Sequence, residues 1–297
     1  MISLVDIGEI VMNASIKQHK TPLRYPGGKS RATKFLDNYF PHLGTMEEYY
    51  EPFLGGGSVA LYVTKKYPHL KVRVNDLYYP LYEFWINLRD NSKQLHKGVM
   101  KFRKKNDTPD KIKKKMDSIR DAVRSDDTDS IERSINFYIL NKCSFGGLGL
   151  SGGFSKASSE KNFTINNINS LLVYGKIISN WEITNNSYEK LIKKAKPDSF
   201  VYLDPPYDLK EDSGLYGDKG SMHKSFDHDL FANICNKSDA RLLISYNDEK
   251  DIINRFDNWN RDTFSLTYTM RSVGDYGKNQ KGRKELVLWN YDIINYF

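Results

Sequence analysis

The chain has 297 residues, 13% of them aromatic and 28% charged, with a net charge of +8, which is the composition of a folded protein with a substantial core and excludes a disordered chain. No run approaches the roughly 18–20 apolar residues of a membrane span, and the opening MISLVDIGEIVM holds Asp6 and Glu9 and lacks the basic lead of a signal peptide. The two cysteines, Cys143 and Cys235, have no neighbours at metal-ligand spacing, so the expectation is a cytoplasmic protein with no structural zinc.

The first motif is LRYPGGKSR, residues 23–31. Its end matches a phosphate-binding P-loop, G-x-x-x-x-G-K-[ST]. Leu23 stands where the first glycine belongs, and the preceding KQHKTPL is polar and holds Pro22, which suits no buried strand. The P-loop is excluded, and Lys29 needs another role.

EYYEPF (48–53) reads as a strand entering the glycine turn LGGGS, and SVALYVTKKY (58–67) as the helix after it. LKVRVND (70–76) alternates like a strand and ends on an acid, and LYYPLYEFWINLRD (77–90) is helical after Pro80. Strand, glycine turn, helix, strand, acid is the order of the first half of a nucleotide-binding α/β sheet.

From residue 91 the pattern changes. Three polar helical stretches (about 92–105, 109–125 and 129–141) lead into CSFGGLGLSGGFSKASSEKN. Gly146, Gly147, Gly149, Gly152 and Gly153, with Phe145, Leu148, Leu150 and Phe154 among them, suit a hairpin or ordered loop. Residues 97–124 hold eleven Lys or Arg against four Asp, which reads equally as a solvated pair of helices or as a phosphate-tracking surface. The α/β pattern resumes at NWEITNNSYEKLI (180–192), with strands at SFVYLD (199–204), ARLLISYN (240–247) and KELVLWN (284–290) and a helix at FDHDLFANICN (226–236). The expected fold is α/β: a discontinuous sheet domain, 1–90 and 181–297, carrying a mainly helical insert, 91–180.

Asp204-Pro205-Pro206-Tyr207 follows the strand SFVYLD, at the edge where open α/β sheets bind ligands. Two prolines fix their own φ and remove two N–H groups, so the turn is stiff and offers carbonyls. An acid, an outward carbonyl and an aromatic face held together match an exocyclic amine on a flat ring. The Asp204 carboxylate accepts one N–H and a proline-turn carbonyl the other, while Tyr207 stacks on the ring. Such acceptors also stabilise positive charge as the nitrogen attacks an electrophile.

DPPY, YPGGK, EPFLGGGSV and FYILNKCSFGGLG (137–149), taken in this order with the late strands ARLLISYN and RKELVLWN, resemble the Dam-type DNA adenine-N6 methyltransferases over nearly the whole chain. The resemblance implies a Rossmann-like methyltransferase sheet whose insert is a target-recognition domain. It also implies S-adenosyl-L-methionine as cofactor. Asp204, Pro205, Pro206 and Tyr207 match the catalytic clamp on a flipped adenine. Phe53, Gly55, Gly56, Gly57 and Ser58 match the cofactor loop, Asp76 the acid on its ribose, and Tyr25 and Lys29 the pair at its methionine end, beside Asp204. Asn141, Lys142, Ser144, Ser151 and Lys156 are the candidates for DNA contacts. The chain reads F-G-G-L where the family has F-N-G-L, which leaves its target sequence open. Residues 208–225 lack apolar periodicity and hold three glycines, and a flap over the flipped base is expected there. Methylation of an RNA adenine, of cytosine N4 or of a protein glutamine, and a non-catalytic DNA-binding protein of the same fold, are the alternatives. The partners expected are double-stranded DNA and, in a restriction-modification setting, a cognate restriction endonuclease. A monomer with no membrane association completes the expectation.

Overall fold

The short apolar runs of the sequence become one seven-stranded sheet in a computed structural model that describes residues 21–207, 226–265 and 284–293. The strands are β1 (Glu48–Glu51), β2 (Lys71–Asn75), β3 (Glu182–Thr184), β4 (Phe200–Leu203), β5 (Arg241–Asn247), β6 (Asn260–Ser265) and β7 (Lys284–Trp289). Their order across the sheet is β3-β2-β1-β4-β5-β7-β6. β1 to β5 are parallel, with Tyr50 opposite Arg73 on one side and Val201 on the other. β7 runs antiparallel between β5 and β6. Every residue of β4 is buried, as expected of a parallel strand covered on both faces.

α1 (Thr33–Leu36) precedes β1, α2 (Ser58–Lys66) joins β1 to β2, and α3 (Tyr79–Asp90) follows β2. Residues 91–180 are mainly helical: α4 (Ser92–Lys105), α5 (Pro109–Lys113), α6 (Met116–Arg124), α7 (Ser130–Cys143), α8 (Lys156–Asn162) and α9 (Ile165–Ile177). α10 (Tyr188–Lys194), α11 (His228–Asn236) and α12 (Lys250–Arg255) complete the sheet's cover. The single helix expected over 109–125 is two, α5 and α6. Their buried Ile112, Met116, Ile119 and Val123 still form one helical stripe, so the break leaves the apolar face intact. Caps fix the starts: Asp129 accepts from Ile131 and Glu132 N–H before α7, and Thr164 from Asn167 N–H before α9. The glycine stretch expected as a hairpin or ordered loop forms two single 3₁₀ turns, Phe145–Gly147 and Gly149–Ser151, closed by a bridge from Ser144 to Phe154.

Two apolar clusters lie on opposite faces of the sheet. One runs without interruption from Val72, Val74 and Tyr202 through Phe84 and Trp85 of α3 to Tyr138 of α7 and Leu171 of α9. Phe84 and Tyr138 stack with centroids 5.9 Å apart. Residues 91–180 therefore share their core with the sheet. Among the described residues no helix is long and apolar enough to cross a membrane.

Candidate active site

β1 sits between β2 and β4, so the connection after β1 runs to one side and that after β4 to the other, and a crevice opens at the carboxyl ends of these two strands. β1 delivers Glu51, Pro52 and Phe53 to that edge, and β4 delivers Asp204 to Tyr207. Between them lies a cavity of about 540 Å³, the size of a small-molecule site. Of the residues expected to hold a cofactor, Tyr25, Lys29, Phe53, Gly55, Gly56, Ser58, Asp76 and Asp204 line it; Gly57 lies behind the wall.

The glycine loop is shaped by its neighbours. Gly57 has φ +67° and caps α2 in the left-handed region, and a Cβ there would lie 2.8 Å from the Trp85 ring. Trp85 Nε1–H donates to the Gly55 carbonyl at 3.1 Å. On the cavity side Tyr25 covers the loop, so a Cβ on Gly55 or Gly56 would strike it at 2.9 or 2.8 Å. Asp76 ties the loop to the end of β2: its oxygens accept from Gly55 N–H at 2.8 Å and Tyr78 N–H at 2.9 Å. Burial pushes the Asp76 carboxyl up to about 6 despite those two donors.

The DPPY corner is held by Lys29, which is 3% exposed. Its Nζ donates to Asp204 Oδ1 at 2.8 Å, to Oδ2 at 2.9 Å and to the Gly27 carbonyl at 3.2 Å, and lies 5.0 Å from the centre of the Tyr207 ring. Burial pushes Asp204 up to about 6; Lys29 opposes that shift and the nearby Glu285 carboxylate adds to it. The family resemblance implied a place for Lys29 at the methionine end of the cofactor. The structure gives it a partner inside the protein, the carboxylate of Asp204.

Two acids at this edge escaped the sequence reading. Glu51 is buried in the cavity wall, accepts from the Tyr49 hydroxyl at 2.6 Å, and is pushed by burial up to about 8. Glu285 at the start of β7 accepts the Tyr207 hydroxyl and lies 3.9 Å from Lys29 Nζ. The signal for both was an acid at the end of a short strand, Glu51 after Tyr49-Tyr50 and Glu285 before Leu286-Val287-Leu288.

The candidate DNA contacts divide. Asn141, Lys142 and Ser144 are buried. Asn141 accepts from Arg24 N–H at 2.9 Å and donates to the carbonyls of Arg24, at 2.6 Å, and Gly147, at 3.2 Å. Lys142 Nζ lies over the Tyr138 ring, and Ser144 Oγ accepts from Gly149 N–H. These three are turned inward because the last turn of α7 is the floor of the loop over 145–153. Ser151 is half-buried in the loop, and Lys156, in the first turn of α8, is exposed. The flap expected at 208–225 lies outside the described residues.

Comparison with known proteins gives the same chemistry a family. Type II methyltransferase M.MjaIII of Methanocaldococcus jannaschii is 25% identical over 285 residues, which covers 91% of this chain and 98% of that protein. Type II methyltransferase M1.LlaDCHI of Lactococcus lactis subsp. cremoris is 24% identical over 196 residues, 62% of this chain and 64% of its own length. The family model described as D12 class N6 adenine-specific DNA methyltransferase matches residues 25–281. That match starts at the tyrosine over the glycine loop and takes in both halves of the crevice with the whole insert, so the chain belongs to the D12 class of N6 adenine-specific DNA methyltransferases.

Proposed function

We propose that the cavity between β1 and β4 binds S-adenosyl-L-methionine and that the Asp204–Tyr207 turn holds the N6 amine of an adenine flipped out of double-stranded DNA. The observation that carries this reading is the Lys29–Asp204 pair at the cavity's mouth, beside a glycine loop that keeps side chains out of it. The cavity residues fit such a cofactor. Asp76 uses one lone pair of each oxygen on backbone N–H groups and keeps others for a ribose hydroxyl. When bound, the cofactor supplies an electrophilic methyl group.

The protein's part is to orient and charge the amine. Asp204 accepts one N6–H and the Pro205 carbonyl the other, which draws the nitrogen out of ring conjugation and points its lone pair at the methyl donor. Asp204 stays largely ionised at neutral pH and stabilises the positive charge that develops on N6. It is also placed to take the proton that N6 then loses. Tyr207 supplies the face on which the flipped base stacks; extrusion itself costs a few kcal/mol. Lys156 and the exposed lysines of α4 and α5 are the phosphate contacts we assign to the insert (91–180), acting as the target-recognition domain. Since both relatives are named Type II methyltransferases, we place the enzyme with a cognate restriction endonuclease, as a monomer in the cytoplasm.

Transfer of tritiated methyl groups to DNA from an adenine-methylation-free host, with modified bases located by single-molecule sequencing, tests this. Expected is methyladenine at one sequence motif with wild type and none with Asp204→Ala. Label on cytosine, or unchanged incorporation by Asp204→Ala, overturns it.

A further inference from the structure

We infer that Glu285 is a positioning residue of the methyl-transfer centre: it anchors the Tyr207 ring by its hydroxyl and, as a second carboxylate on Lys29, keeps the Asp204 corner net negative. This rests on the reading of Asp204 and Tyr207 given above.

β7 has no structural need of an acid at this point. Its neighbours Leu286, Val287 and Leu288 are all fully buried, and alternation sets Glu285 on the same face as Val287. Glu285 is itself 2% exposed. A carboxylate removed from water is costly unless it is paired. Here the pairing is with the methyl-transfer corner: the Tyr207 hydroxyl donates to Oε2, and Lys29 Nζ lies 3.9 Å from that same oxygen. One oxygen thus faces both groups that flank Asp204.

The charge count explains what this does. Lys29 alone would neutralise Asp204, the group that must attract a nitrogen becoming positive. With Glu285 the cluster is one cation shared between two carboxylates, and its net charge is −1. The same contact fixes the ring. Tyr207 is held at its hydroxyl by Glu285 and across its face by Lys29, so both the stacking plane and the acceptor charge depend on one side chain from β7.

The groups that face Asp204 are Lys29 from the N-terminal turn, Glu51 from β1, Tyr202 from β4, Tyr207 from its own turn and Glu285 from β7. Removing the Glu285 charge makes Asp204 easier to ionise, so the acid limb of the pH–rate profile moves to lower pH. The full-length enzyme is assayed on unmethylated DNA as Glu285→Gln, Glu285→Asp, Tyr207→Phe and Asp204→Asn. Expected for Glu285→Gln is a kcat lower by about tenfold or more, a KM for S-adenosyl-L-methionine close to wild type, and an acid limb displaced downward. Glu285→Asp keeps the charge, so its limb stays in place while kcat falls. Tyr207→Phe leaves the limb in place, and combined with Glu285→Asp it costs less than the product of the two single losses. An inactive Asp204→Asn beside a Glu285→Gln with wild-type kcat and an unmoved limb overturns the inference and leaves the assignment of Asp204 standing. An active Asp204→Asn overturns that assignment instead. Should Glu285→Gln fail to fold in a thermal melt, a moved limb in Glu285→Asp or strict additivity in the double variant overturns the inference.

Discussion

Lys29 and Asp204, 175 residues apart in the chain, meet with both carboxylate oxygens within 2.9 Å of one ammonium. Lys29 opposes the upward shift that burial imposes on Asp204. In Lys29→Met that opposition is gone, the carboxyl titrates above its present value near 6, and less of it is ionised at neutral pH. We expect methyl transfer at pH 7 to fall by about 10²-fold, a smaller loss at pH 9, and an acid limb moved upward. A loss confined to affinity for S-adenosyl-L-methionine, with the limb in place, would return this lysine to the cofactor side.

Glu51 makes a prediction about stability. Burial raises its folded-state value to about 8, so the folded protein holds a proton there that the unfolded chain releases nearer the ordinary carboxylate range. Its contribution is therefore present at low pH and lost as pH rises through about 8. Glu51→Gln keeps an acceptor for the Tyr49 hydroxyl and carries no proton to lose. The melting temperature of the variant relative to wild type should climb between pH 5 and pH 9, crossing to the variant's favour at the alkaline end. A constant difference would mean that Glu51 does not titrate in this range.

The glycine loop is tested at Gly57. Its left-handed conformation costs a side-chain-bearing residue roughly 1–2 kcal/mol, and the new Cβ would also meet the Trp85 ring at 2.8 Å. Gly57→Ala should lower the melting temperature by several degrees and weaken cofactor binding, since the displaced Trp85 also bonds Gly55. Calorimetric titration and a thermal melt read the two effects separately. Near-wild-type values of both would show that the loop can shift freely.

Asn141 tests the joint between insert and sheet. Asn141→Ala leaves Arg24 N–H and two carbonyls without their partner, at about 1–3 kcal/mol for each group left buried, so a marked loss of stability is expected. Arg24 adjoins Tyr25, which covers the glycine loop, so affinity for S-adenosyl-L-methionine should fall as well. A weaker affinity for DNA with cofactor binding unchanged would make Asn141 a DNA contact after all.

Much of this was legible before the structure. The strands under β1, β2, β4, β5 and β7 announce themselves by alternation or by short apolar runs bounded by turns, and DPPY and LGGGS fall where such strands end. β6 did not: NRDTFS pairs only with β7 and, at the sheet's edge, has little need of apolar residues. α12 is a single short helix whose one fully buried residue is Ile252, too little for a periodic signal. The sequence spoke of side-chain chemistry but not of direction. Asn141 and Ser144 are polar residues beside a glycine-rich loop, which suits a surface contact as well as an internal brace, and only the packing of Arg24 against that loop decides. Glu285 became visible only when the chain reversal between β5 and β7 brought it beside Tyr207.

If residues 91–180 are the target-recognition domain proposed above, the contact between Arg24 and the loop over 145–153 sets the unit of exchange for changing what DNA this enzyme modifies. A Cβ on Gly147 would stand 2.6 Å from both the Cβ and the carbonyl oxygen of Arg24, and the Arg24 guanidinium reaches the Ser144 carbonyl and the Ser158 hydroxyl at 3.0 Å each. A chimera that swaps residues 91–180 for another enzyme's insert would break that seam at every one of these points. The transplant has to carry the few residues before Tyr25 with it, two separate pieces of chain moved as one graft.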